Sequence, residues 1–171
     1  MIGAAPWLNY SEGQGDRPQG TPYLRLVVHD QLTALLPMTQ IQQVLVIPPQ
    51  QLTLIPNMPA VVMGLLNFRN RIVWVFDLAL LLSLNPLEES SLFTIVLLQT
   101  SKGHLALALH QVGGIARLSE SLIQSPVGTL SAALVPYVKG CCRLEEEMFF
   151  ILDGEAIAEH CWAKCVPVTA R

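Results

Sequence analysis

The stretch from Val61 to Leu82, VVMGLLNFRNRIVWVFDLALLL, constrains this chain more than any other. It holds a β-type apolar run, a tight turn on Asn67-Phe68-Arg69-Asn70, a second β-type run, and Asp77, which closes it. Two such runs, rich in β-branched and aromatic residues and joined by a short turn, read as a hairpin. Arg69 and Asp77 are nearly the only charges in the segment. An arginine at a turn between strands is placed for recognition, because its planar fork can meet a carboxylate or a backbone carbonyl. The alternative is structural: Arg69 pairs with Asp77 or with carbonyls of the turn. No catalytic constellation accompanies it, so the segment points to docking rather than chemistry.

The same punctuation runs along the chain. Tyr23–Val28 and Thr33–Leu36 are expected to pair as strands about His29-Asp30-Gln31, and Met38–Ile47 as one helical turn followed by a strand. A short helix is expected from Asp77 or Leu78, with Asp77 as its N-cap and Leu84-Asn85-Pro86 as its stop. Ser91–Thr100 with His104–Gln111, and Cys141–Leu152 about Glu145-Glu146, read as further hairpins. Gly113-Gly114 marks a bend or bulge before Ile115–Leu118, and Glu155–Lys164 reads as a helix. About ten short strands with regular turns fit an all-β architecture of barrel type with a few short helices.

Composition excludes several function classes. Only 13% of residues are charged and 51% are apolar, against about 25% charged in an average soluble domain. No charged side chain occurs between Gln31 and Phe68, yet Pro37, Pro48, Pro49, Pro56 and Pro59 interrupt that stretch. A spanning helix needs about 20 apolar residues in one run, so direct membrane insertion is not expected. The apolar excess instead implies sheets covered on both faces and an apolar surface reserved for partners. A net charge of −3 with ten scattered basic residues argues against nucleic acid, which demands clustered cations.

No cofactor, metal or catalytic site is expected. Cys141, Cys142, Cys161 and Cys165 lack zinc-knuckle spacing and read as reduced thiols of a cytosolic protein. His29-Asp30 reads as a turn, and His110 as a solvated loop residue. Glu145, Glu146 and Glu147 sit at a hairpin tip, splayed rather than paired for acid–base work. Residues 1–20 carry no basic start or continuous apolar run and read as a flexible lead-in rather than a signal peptide.

Taken in order, these pieces resemble the CheW-like adaptor domains. Gly64-Leu65-Leu66-Asn67-Phe68-Arg69, followed by Ile72-Val73, Val75-Phe76 and Asp77-Leu78, is similar to the family's central hairpin. Leu35-Leu36-Pro37-Met38 with Ile41-Gln42-Gln43-Val44 resembles its preceding segment, and Leu52–Pro56 with Pro59 its bridge. Thr94–Leu98, Leu105–Leu109, Val135–Gly140 and Met148–Asp153 match the later strands. Asn70 stands where the family has glycine, and Gln43 where a carboxylate is common.

The resemblance implies two small five-stranded, SH3-like β-barrels packed side by side over residues 21–160, with a tail at 161–171. It implies a non-enzymatic, cytoplasmic adaptor between the signalling tip of a methyl-accepting chemoreceptor and the regulatory domain of a CheA-type histidine kinase. It places the partner-binding residues at Arg69, Asn67 and Gly64, and at Gln43, Ile41 and Met38. Gln43, Asn70 and His110 motivate a second reading, a divergent member of a pilus, twitching-motility or phototaxis system that binds the kinase but not a receptor. A reading from another class is a small-ligand-binding β-barrel with a concave polar pocket.

Overall fold

The computed structural model describes residues 19–165 apart from Gln31, Val127 and Thr129. Residues 1–18 of the expected lead-in and 166–171 of the expected tail lie outside the described residues. The strands are β1 (Thr21–His29), β2 (Leu32–Pro37), β3 (Ile41–Ile47), β4 (Leu52–Thr53), β5 (Val62–Phe68), β6 (Arg71–Asp77), β7 (Phe93–Thr100), β8 (Gly103–Leu109), β9 (Gln111–Leu118), β10 (Val138–Leu144) and β11 (Glu147–Leu152). A short helix α1 (Leu78–Leu81) follows β6, and a longer one, α2 (Gly154–Cys165), follows β11.

The strands form a five-stranded sheet, β10-β11-β2-β1-β9, and a six-stranded sheet, β3-β7-β8-β6-β5-β4. This corrects the expectation of two five-stranded barrels: among the described residues neither sheet closes. Closure requires the first and last strands to hydrogen-bond at a matched tilt and stagger. In the six-stranded sheet one edge, β4, is two residues long and pairs only with β5. In the five-stranded sheet the outer side of β10 makes a single bridge, Gln124 with Cys141. Strand runs are legible in a sequence, but which edges meet is set by strand length and register at the rims.

The central strands of each sheet bury both faces, and the side-chain alternation of period two explains how. Leu24, Leu26 and Val28 of β1, Ala34 and Leu36 of β2, and Val96, Leu98, Leu105 and Leu107 of β7 and β8 join one shared cluster. Their neighbours in sequence turn the other way. Tyr23, Leu35, Phe149 and Ile151 form a second cluster, and Val73, Val75, Ile95, Leu97, Ala106 and Ala108 a third. Each fully buried large apolar side chain contributes about 1.5–3 kcal/mol. This double use of every central strand is why the runs are continuously apolar and so poor in charge.

Two polar contacts fix α2 on this scaffold. The Gln40 side chain accepts from the Gly154 amide at 3.0 Å. Glu155 accepts from the Ser101 amide at 2.9 Å and from its hydroxyl at 2.6 Å, tying the helix to the β7–β8 turn. Asp153 accepts from the Glu155 amide at 3.0 Å, as an N-cap does.

Candidate functional site

The hairpin of β5 and β6 places Arg69. Register runs Asn67↔Ile72 and Phe68↔Arg71, leaving a two-residue turn of Arg69 and Asn70. Both have positive φ, 49° and 64°, as a type I′ turn demands. Asparagine tolerates that conformation, so the glycine of the family pattern is not needed at Asn70. Arginine does not favour it: a left-handed residue with a Cβ costs about 1–2 kcal/mol. The strain is imposed by the ladder on either side, and it projects Arg69 from the tip.

Asp77 does not pair with Arg69. Its carboxylate is 4% exposed and accepts from the Leu80 amide at 3.1 Å and the Leu87 amide at 2.8 Å. Arg71 is also engaged, donating from a guanidinium nitrogen to His104 Nε2 at 2.9 Å. Arg69 instead lies over the ring of its neighbour Phe68, 5.1 Å from the centroid, its one side-chain partner among the described residues. The guanidinium edge, with its donors, is thus uncommitted.

The other expected residues separate into distinct roles. Asn67 is exposed beside Arg69 and shares a sheet face with its cross-strand partner Ile72, which is 64% exposed. Gly64 is buried at φ 143°, and a Cβ there would sit 2.5 Å from the Thr53 carbonyl oxygen. It therefore lets β4 approach β5 and offers no side chain to a partner. Met38 and Ile41 are half-buried and pack against the shared cluster. Ile41 opposes Leu98 of that cluster, whereas Gln43 opposes Leu97 of the outer one, with a register shift between them. Gln43 thus turns away from Met38 and Ile41. β3 is separated from β5 by β7, β8 and β6 in the sheet order. Four of the six residues accordingly make two surfaces, Arg69 with Asn67 at the turn and Met38 with Ile41 at the β3 edge, while Gly64 and Gln43 belong to neither.

Sequence reading passed over Ile72 and Gln40. Alternation within RIVWVF sets Ile72 on the face of Trp74 and Phe76, a signal that could have found it. Gln40 had no such signal, because its partner, the Gly154 amide, is 114 positions away.

The family model for the CheW-like domain matches residues 22–161. The chain is 24% identical over 106 residues to a probable chemotaxis protein CheW of Rhizobium etli, a match spanning 61% of this chain and 68% of that one. The crystal structure of the scaffolding protein TtCheW from Thermoanaerobacter tengcongensis aligns with a TM-score of 0.71 at 18% identity, over 80% of this chain and 91% of its own; this is a likeness of fold. With the family's pattern matched from the first strand of the five-stranded sheet to the last helix, the chain belongs to the CheW-like domain family.

Proposed function

We propose that this chain is a non-catalytic adaptor of a chemosensory assembly, acting in the cytoplasm and coupling a methyl-accepting receptor to a CheA-type histidine kinase. Residues 21–160 would act as the unit. The observation that carries the reading is the Arg69 turn: an uncommitted guanidinium held at a strained position, beside the exposed Ile72 and Asn67. Strain of this kind persists where the surroundings over-determine it and is frequent at binding sites. In this reading Arg69, Asn67 and Ile72 meet the kinase regulatory domain, and Met38 and Ile41 meet the helical tip of the receptor. Gly64 supports the first surface from below. Two surfaces on one rigid sheet let one protein hold both partners at once, which raises effective concentration and couples their states.

Calorimetric titration against the regulatory domain of a CheA-type kinase from the same genome tests this. Arg69→Glu should weaken binding at least tenfold, or about 1.4 kcal/mol, while thermal melting stays within a degree or two of the parent. Undiminished binding would remove Arg69 from the interface, and a variant that fails to fold would assign it a structural role instead. A second reading follows from Gln43, which is uncharged and lies on the opposite face of β3 from Ile41: the chain binds the kinase alone. Titrating a receptor-tip fragment separately distinguishes the two, and Met38→Asp or Ile41→Asp should abolish that binding only if the receptor surface is real.

A further inference from the structure

A cleft opens at the far end of β6 from the Arg69 turn, roughly 20 Å away along a seven-residue strand. Its walls come from the end of β1 (Val28, His29, Asp30), from Ala79 of α1, from the loop Asn85–Glu88, and from His110 at the β8–β9 corner. The volume is about 130 Å³, and an adjoining lobe of about 160 Å³ shares Leu87, Glu88 and His110 and adds Glu89. Taken singly in the sequence, His29-Asp30 is a turn and His110 a loop residue. The fold brings them together around one opening with Glu88.

The wall is built rather than incidental. Asp77 uses one carboxylate oxygen on the Leu80 amide, at the start of α1, and the other on the Leu87 amide, at 2.8 Å. One buried side chain thereby fixes both α1 and the loop that carries Pro86, Leu87 and Glu88. The floor is apolar, from Val28, Ala79 and Leu87. The rim carries the carboxylates of Asp30, Glu88 and Glu89 and the rings of His29 and His110, with no lysine or arginine among the lining residues.

This chemistry suits a flat organic cation. No three of the described His, Cys, Asp and Glu side chains are grouped to hold a metal ion. A cavity of about 150 Å³ takes a single small ring, so each lobe matches one planar group. A guanidinium has the right size, pairs with carboxylates through parallel N–H donors, and stacks on flat rings. A neutral imidazole adds one acceptor nitrogen.

We propose that the cleft between His29-Asp30, Glu88 and His110 is a docking pocket for an arginine side chain of a protein partner. It is separate from both surfaces of the adaptor reading and does not depend on which partner occupies either of them.

The test is a nuclear magnetic resonance titration of the full chain with N-acetyl-arginine amide, using N-acetyl-citrulline amide as the uncharged isostere. Saturable shifts are expected at the His29 and His110 rings and at the Leu87 amide with arginine. Citrulline should bind at least tenfold more weakly. Asp30→Asn/Glu88→Gln, both exposed positions, should lose the arginine response at least tenfold while the remaining amide spectrum superposes on the parent. Three results overturn the proposal: no localised shifts, equal response to citrulline, or an unchanged response in the double variant. The citrulline comparison on the parent protein decides the matter even if the double variant folds poorly.

Discussion

Asp77 is the most informative single position for the stability of this fold. It is 4% exposed, and its side chain satisfies two backbone amides that have no other partner named in the structure, Leu80 at 3.1 Å and Leu87 at 2.8 Å. Asp77→Ala removes an N-cap, costing about 0.5–2 kcal/mol, and a second bond to a carboxylate, costing about 1.5–3 kcal/mol. The total expected is about 2–5 kcal/mol, or roughly 4–20 °C in melting temperature for a chain of this length. Asp77→Asn is the sharper test, because its amide has one acceptor where the carboxylate has two. It can cap Leu80 or hold Leu87, but not both, since its NH₂ would face an N–H. It should therefore lose about half the effect of alanine. Urea denaturation of the two variants measures this, and hydrogen exchange at Leu80 and Leu87 identifies which bond survives. An asparagine variant as stable as the parent, or an alanine variant within 1 kcal/mol of it, would refute the reasoning.

Gly64→Ala should destabilise by about 2–4 kcal/mol, combining backbone strain with a forced clash. The β4 amides should lose exchange protection before those of β7 and β8; a well-tolerated alanine would mean that β4 can move off β5 freely. Glu155 has its pKa held below the usual 4.5, first by the Ser101 hydroxyl and then by the Ser101 amide. A lowered folded value means stability that is present above the unfolded value and lost as pH falls through the folded one. Glu155→Gln should accordingly lower the melting temperature at pH 7 and leave it unchanged well below that window; an equal loss at both pH values would exclude the carboxylate as the cause. Burial pushes the Cys161 thiol up to about 12 and raises that of the half-buried Cys165 as well, so iodoacetamide at pH 8 should leave Cys161 unmodified in the native protein while the more accessible Cys165 reacts slowly. Rapid native labelling of Cys161 would show that α2 opens readily.

Local chemistry was legible; long-range closure was not. The turn at Arg69-Asn70, the helical turn before β3, the N-cap at Asp77 and the final hairpin about Glu145-Glu146 all rest on residues adjacent in sequence. The bend at Gly113-Gly114 likewise coincides with a register shift opposite Arg25 and Leu26. Barrel closure failed as an expectation because it depends on edges far apart in the chain, and a two-residue β4 gives no local warning of where pairing stops. The split of the candidate site has the same origin. Ile41 and Gln43 read as neighbours, but the shift between them puts them on opposite faces. One irregular residue in a ladder reverses the face of everything after it, which no periodicity count through Gln42 detects.

The parallel pairing of β11 with β2, through Phe150↔Ala34 and Ile151↔Leu35, has a consequence for how this chain comes to exist. The five-stranded sheet is assembled from both ends of the domain, with all six strands of the other sheet inserted between β2 and β9. As the chain leaves the ribosome, β3 to β8 can pair completely while β1 and β2 wait as a bare hairpin, a unit with marginal stability of its own. The hairpin's Leu24, Leu26 and Leu36 can be covered by the six-stranded sheet, but the cluster on the other face, around Leu35, stays incomplete until Cys142, Phe149 and Ile151 arrive. The last strands made are thus the ones that seal the first, and a nascent chain halted before β11 carries an open apolar edge.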